Sequence, residues 1–116
     1  MDAAYIRTHC LNKPGVTESF PFGINTLVYK VREKIFLLIS IDDSPVRFNA
    51  KCDPDRAIEL REEYNAIIPG YHMNKRLWNT VILDGTLPSA LVIEMIDDSY
   101  NLVVQSLPKK IREELS

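Results

Sequence analysis

The stretch after Pro88 constrains this chain more than any other. Leu91, Val92, Met95, Ile96, Tyr100, Val103, Val104 and Leu107 recur at the three- and four-residue spacing that lines up apolar side chains on one side of an α-helix. A helix so striped must lie across an apolar surface, and β-rich runs upstream supply one. Residues 24–31 and 34–41 are such runs, and the Arg32-Glu33 pair between them has hairpin spacing, without the glycine or asparagine that hairpin turns prefer. Val46, Phe48 and Ala50 alternate with Arg47, Asn49 and Lys51, which predicts a strand over 46–51 with one wet, basic face. A further strand spans 77–83 and closes at Asp84-Gly85.

The remaining signals are local. Asp2 starts a short helix carrying Ala3, Ile6 and Cys10, which ends near Asn12 because Pro14 pushes Lys13 out of helical geometry. Phe20-Pro21-Phe22-Gly23 reads as a short edge strand, since a proline cannot donate to a ladder. Residues 35–39 are apolar at every position, the pattern of a strand covered on both sides or of one with an extended face. Asp53-Pro54 opens a helix whose stripe is Ala57, Leu60 and Tyr64. Residues 67–78 read as irregular, broken by Pro69 and Gly70, and a last short helix follows Pro108 over 109–115. No repeat or linker divides the chain. The expected fold class is therefore α+β, a single domain over residues 1–116 with an antiparallel sheet and helices on its faces.

With 116 residues, 46% of them hydrophobic, the chain can bury one core and should have a radius of gyration of about 13 Å. Its 14 basic and 16 acidic side chains, with a pI near 5.6, exclude a protein that coats nucleic acid by bulk charge. Any phosphate-binding surface must be local. Cys10 and Cys52 form no CxxC pair and read as reduced, partly buried thiols of a reducing compartment. Met1-Asp2-Ala3-Ala4-Tyr5 lacks the basic start and apolar run of a signal peptide, and the longest apolar stretches, 35–39 and 90–93, are too short to span a membrane. The expectation is a cytoplasmic protein with no membrane partner.

The search for reaction chemistry is negative. There is no glycine-rich phosphate loop, HExxH or GxSxG. His9 and His72 are the only histidines, so a metal site would need the fold to bring one of them to Cys10 and Cys52. The pairs Asp42-Asp43, Glu62-Glu63 and Asp97-Asp98 read as solvated faces, because adjacent carboxylates diverge, whereas acid-base catalysis needs two that face one cleft. No catalytic residue, metal or cofactor is expected, and the chain does not read as an enzyme.

The densest constellation runs from Pro69 through Tyr71, His72, Met73, Asn74, Lys75 and Arg76 to Trp78 and Asn79. Lys75 and Arg76 can neutralise phosphates, Asn74 or Asn79 can pair with a base edge, and Tyr71 or Trp78 can stack. The same residues also fit plain structural roles, with Trp78 in the core and the asparagines satisfying turn backbone. Lys30, Lys34, Arg47 and Lys51, on neighbouring strands, could extend a basic patch.

These blocks carry a resemblance. Together with Lys13-Pro14-Gly15, Phe20-Pro21-Phe22-Gly23, Tyr29-Lys30-Val31, Lys34-Ile35-Phe36, Lys51-Cys52-Asp53-Pro54 and Ser99-Tyr100, the run from Pro69 to Lys75 resembles the YjbR-like (MmcQ/YjbR) family of small bacterial proteins. Arg32-Glu33 stands where that family often has a glycine pair, and Leu77 where it often has histidine. The resemblance implies a frataxin-like, double-wing fold and, by analogy of fold, DNA as the partner. Frataxin-type iron binding is not expected, since Asp2 is the only carboxylate before Glu18.

The resulting expectation is a monomeric, non-enzymatic domain that contacts DNA through Lys30, Lys34, Arg47, Lys75 and Arg76, with His72 and Asn74 as polar readers. Roughly five phosphate contacts on a duplex would give a logarithmic salt slope of about -4 to -5. The alternative is a protein-interaction or small-ligand module using the 71–76 segment. That alternative is favoured if the cations diverge while Tyr71, His72 and Asn74 rim an apolar pocket.

Overall fold

The computed structural model describes residues 1–71 and 73–115. Its elements are α1 (Ala3–Leu11), β1 (Val16–Ser19), β2 (Thr26–Val31), β3 (Lys34–Ser40), β4 (Arg47–Lys51), α2 (Pro54–Glu63), β5 (Ile67–Pro69), β6 (Trp78–Ile82), α3 (Ser89–Gln105) and α4 (Lys109–Leu115). The strands make one antiparallel sheet in the order β1-β2-β3-β4-β6-β5, with a radius of gyration of 13.5 Å. The α+β expectation holds. The helices do not flank the sheet on both sides, however. Ile6 and Cys10 of α1, Leu60 of α2 and the stripe of α3 all join one core with Leu27, Tyr29, Leu37, Ile39, Phe48 and Val81 on the sheet's inner face. The outer face carries only a small cluster of Val28, Leu38 and Trp78, with Ile35, Met73 and Leu77 against it.

Local chemistry sets the boundaries. The Asp2 carboxylate accepts from the Tyr5 amide at 2.9 Å, and that of Asp53 accepts from Asp55 and Arg56, with Pro54 at the first helical position. The β2–β3 hairpin closes through Arg32 and Glu33, both at positive φ (47° and 73°), the left-handed pair that a two-residue hairpin turn demands. Neither is glycine, so the turn is strained by their Cβ atoms.

Two expectations need correction. Phe20 to Gly23 is not the edge strand. The β1–β2 ladder stops at Ser19↔Val28, and the Gly23 amide turns back to the Phe20 carbonyl with Gly23 at φ 111°. Pro21 and a left-handed glycine suit that turn, whereas the edge strand falls on Val16–Ser19. Residues 67–78 are not wholly irregular either. Ile67–Pro69 pairs with β6 at the sheet edge, where the amide that proline lacks has no ladder to serve.

The uniformly apolar run in β3 resolves into a bulge. The β2–β3 register slips between Tyr29 and Lys30, so that Phe36 and Leu37 both belong to the inner core while Ile35 and Leu38 join the outer cluster. The slip leaves the Phe36 carbonyl and the Lys51 amide without ladder partners in the β3–β4 register. The Ser99 hydroxyl of α3, fully buried, accepts from the Lys51 amide at 2.8 Å and donates to the Phe36 carbonyl. Next to it, the Tyr100 ring meets Phe36 edge-on at 5.5 Å between centroids, and its hydroxyl donates to the Pro14 carbonyl at 2.6 Å.

Ser99→Ala orphans two buried backbone groups at once, and each costs on the order of 1–3 kcal/mol. Urea unfolding of this variant should show a loss of about 3 kcal/mol. Glu33→Gly, which relieves one left-handed side chain, should raise stability by up to about 1 kcal/mol in the same assay.

Candidate functional site

Because the helices pack on the inner face, the outer face of the sheet is left without a helix over it. Alternation places Thr26, Ser40, Arg47 and Ile82 along one rung of that face, and Val28, Leu38, Asn49 and Thr80 along the next. Lys30, Ile35, Lys51 and Trp78 lie at its far end.

The chain that follows β5 folds over this face and is held there by a closed polar set. Asn49 Oδ1 accepts from the Thr80 hydroxyl, Asn49 Nδ2 donates to the Tyr71 carbonyl at 3.2 Å, and the Tyr71 amide donates to Thr80 Oγ1 at 2.9 Å. Gly70 makes the approach possible. A Cβ there would lie 2.8 Å from the Trp78 Cβ and 2.9 Å from its carbonyl oxygen, which the Gly70 amide uses as acceptor. Thr80 is thereby only 2% exposed, while the Tyr71 side chain remains 65% exposed.

Tyr71 and Met73 form one wall of a groove of about 540 Å³. Leu38, Asn49, Thr26 and Ser40 make its floor, and Phe22 and Asn25 form the opposite wall. Asp42 and Asp43, just beyond the end of β3, line one end. Two sequence blocks about fifty residues apart, the Phe20–Gly23 turn and the 69–75 run, thus meet across one concavity. A separate small cavity, with Cys52, Asn79, Glu94 and Asp98 in its lining, is about 10 Å³, room for a single water. Asn79 lines it, and its buried Oδ1 has no hydrogen-bond partner among the described residues.

The expected cations separate. Lys30 stands on the outer face at the Lys51–Trp78 end, and the turn carrying Lys75 and Arg76 leads directly into Trp78, so it adjoins the same end. Lys75 reaches the Gly70 carbonyl at 3.5 Å, and Arg76 is exposed. Lys34 diverges, because it pairs with inward-facing Val31 and donates to Ser106 at the end of α3. Arg47 sits at the opposite, acidic end of the outer face, 3.9 Å from Asp43. Among the described residues, Lys30, Lys51, Lys75 and Arg76 have no carboxylate within ion-pair distance, whereas Arg7, Lys13, Arg32 and Arg47 each have one and Arg56 has two.

The two polar readers fare differently. The Asn74 side chain accepts from the Arg76 amide at 3.0 Å, which caps its own turn, and His72 lies outside the described residues. Asn79 is 2% exposed on the inner face, so it reads no base edge, and Trp78, 9% exposed beneath Met73 and Leu77, offers no stacking platform. Sequence reasoning missed Phe22, Asp42 and Asp43 as groove residues, whereas Lys51, expected as a possible extension of the basic patch, lies at the same end as Lys30. Two aromatic residues around a glycine-proline turn were the available signal for Phe22.

Elsewhere, Asp97 is not simply solvated. Burial pushes its pKa up, but Lys13 at 2.6 Å and His9 at 2.7 Å outweigh that and hold it low. Burial pushes the Cys10 thiol up to about 12 and, with Asp98 and Asp53 adding, the Cys52 thiol up to about 11, so neither ionises near neutral pH. Among the described residues, no group of three His, Cys, Asp or Glu side chains is placed to hold a metal ion, and no helix is long and apolar enough to cross a membrane.

Thr80→Val keeps the shape of the side chain but removes the acceptor of the Tyr71 amide. Hydrogen exchange at Tyr71 should accelerate about tenfold, the consequence of losing roughly 1–2 kcal/mol of local protection.

Similarity to known proteins agrees with this architecture. The chain is 39% identical over 100 residues to YbdF of Escherichia coli O157:H7, covering 86% of this chain and 82% of that one. It is 30% identical over 113 residues to YjbR of Escherichia coli K12, covering 97% and 96%. Among solved structures, the crystal structure of Deinococcus radiodurans DR2400, with a domain designated DUF419, superposes with a TM-score of 0.93 at 40% identity over 98% of this chain and 87% of that one. The YjbR family model matches residues 11–102, and the chain belongs to the YjbR family.

Proposed function

We propose that this domain is a non-enzymatic DNA-binding module that takes a single strand across the outer face of its sheet. The observation that carries the reading is the cluster of Lys30, Lys51, Lys75 and Arg76 at one end of that face, cations without carboxylate partners among the described residues, in a protein of net charge -2. A charge set of this kind is local enough to hold phosphates without making the molecule basic overall. The exposed rings of Phe22 and Tyr71, which line a groove on the same face, suit unstacked bases better than a closed duplex.

A second reading, a small-ligand or protein-interaction module, is favoured by the groove itself, which Tyr71 and Met73 wall on one side. It makes the basic end irrelevant to binding, and Lys75→Ala with Arg76→Ala would then change nothing.

Fluorescence anisotropy with a labelled single-stranded oligonucleotide tests the proposal. Four phosphate contacts give a logarithmic salt slope of about -3. Lys75→Ala with Arg76→Ala should weaken binding about tenfold at low salt and roughly halve that slope. Lys34→Ala, whose ammonium is tied to the end of α3, should leave both unchanged. Absence of binding at low salt, or equal weakening by Lys34→Ala, overturns the reading.

A further inference from the structure

The groove's chemistry specifies more than a place to stack. Its aromatic rims, Phe22 and Tyr71, are 67% and 65% exposed, and Leu38 and Met73 give it an apolar bed. Asp42 and Asp43 line one end of it. Ionised carboxylates only accept hydrogen bonds, so an occupant must bring donors to that end. Asp43 has Arg47 at 3.9 Å, whereas Asp42 has no hydrogen bond or ion pair among the described residues. One carboxylate is therefore available for an incoming group.

The opposite end is the cationic one. Arg47 and Lys51 are four residues apart on β4, so the acidic and basic ends of the outer face are about 13 Å apart along the strand. Anionic and donor-bearing parts of one ligand would thus be received at separate places. A nucleotide in a single strand has this polarity, with a phosphate on one side and a base edge on the other. Among the bases, guanine presents two adjacent N–H donors on its pairing edge, a match to the two oxygens of one carboxylate. Cytosine and adenine present a single amino group there, and thymine a single ring N–H flanked by carbonyls that a carboxylate repels.

We propose that the groove receives an unpaired guanine of the bound strand, stacked against the Phe22–Tyr71 rims, with Asp42 accepting from its ring N–H and exocyclic amino group. The proposal rests on the single-strand reading above and adds base selectivity to it. Phosphates give the affinity and Asp42 gives the discrimination.

The test compares labelled eight-residue oligothymidine with the same oligomer carrying one central dG, dA or dC, at fixed low salt, by fluorescence anisotropy. The dG oligomer should bind about tenfold more tightly than the all-thymidine one, with dA and dC in between. Asp42→Asn should remove the dG advantage while leaving oligothymidine affinity the same or slightly higher, since it deletes a negative charge from an exposed turn. In the unaltered protein, side-chain NMR signals of Phe22 and Tyr71 should shift on adding the dG oligomer. Equal affinity for the four oligomers, or a dG advantage that survives Asp42→Asn, overturns the guanine assignment and leaves DNA binding standing. No binding of any oligomer overturns both.

Discussion

The Ser99 hydroxyl is the contact on which the arrangement of the domain depends. It sits on the buried stripe of α3 and satisfies a carbonyl of β3 and an amide of β4 at the point where the sheet's register slips. A slip of one residue would ordinarily leave those groups unpaired in the core, at a cost no small domain can bear lightly. Because the hydroxyl fills the gap, Phe36 and Leu37 can both point inward, and the T-shaped Phe36–Tyr100 contact fixes α3 against the bulge. Tyr100 then ties the turn after α1 to the same helix through Pro14.

That one-sided packing has a consequence for the other side. With the helices on the inner face, Met73 and Leu77 are what shields the outer cluster among the described residues. The Asn49–Thr80–Tyr71 hydrogen bonds hold the chain at Tyr71 against the sheet, and so they shape the wall of the groove. The face is polarised as well, carboxylates at the Asp42–Asp43 turn and, at the Lys51–Trp78 end, cations with no carboxylate partner among the described residues. An excess of two negative charges across the molecule conceals this division.

Periodicity made much of the fold legible. The stripe of α3, the caps at Asp2 and Asp53 and the Arg32-Glu33 hairpin all follow from signals a few residues long, and the structure has each of them. Short segments beside prolines were less legible. Phe20 to Gly23 looked like a strand because it is aromatic, yet Pro21 and Gly23 turn it, and Ile67–Pro69 looked irregular because a proline's lost amide matters only when a neighbour needs it. The candidate site was half visible. Lys30, Lys75 and Arg76 do share one end of the outer face, but Lys34 and Arg47 leave it, and strand alternation could not foresee the bulge that puts Lys34 on the inner side.

Residue order alone determined the helices, the longer strands and most of their apolar sides, because those properties come from spacings of two, three and four residues and from capping groups next to them. Only the folded chain decided that the helices all choose one side of the sheet, that Phe22 meets Tyr71 across a groove, and that Asn79 is buried while Asp42 is open. Those outcomes depend on contacts between residues tens of positions apart. They are set by packing volume and by where otherwise unpaired backbone groups find partners, neither of which is encoded within a single window of sequence.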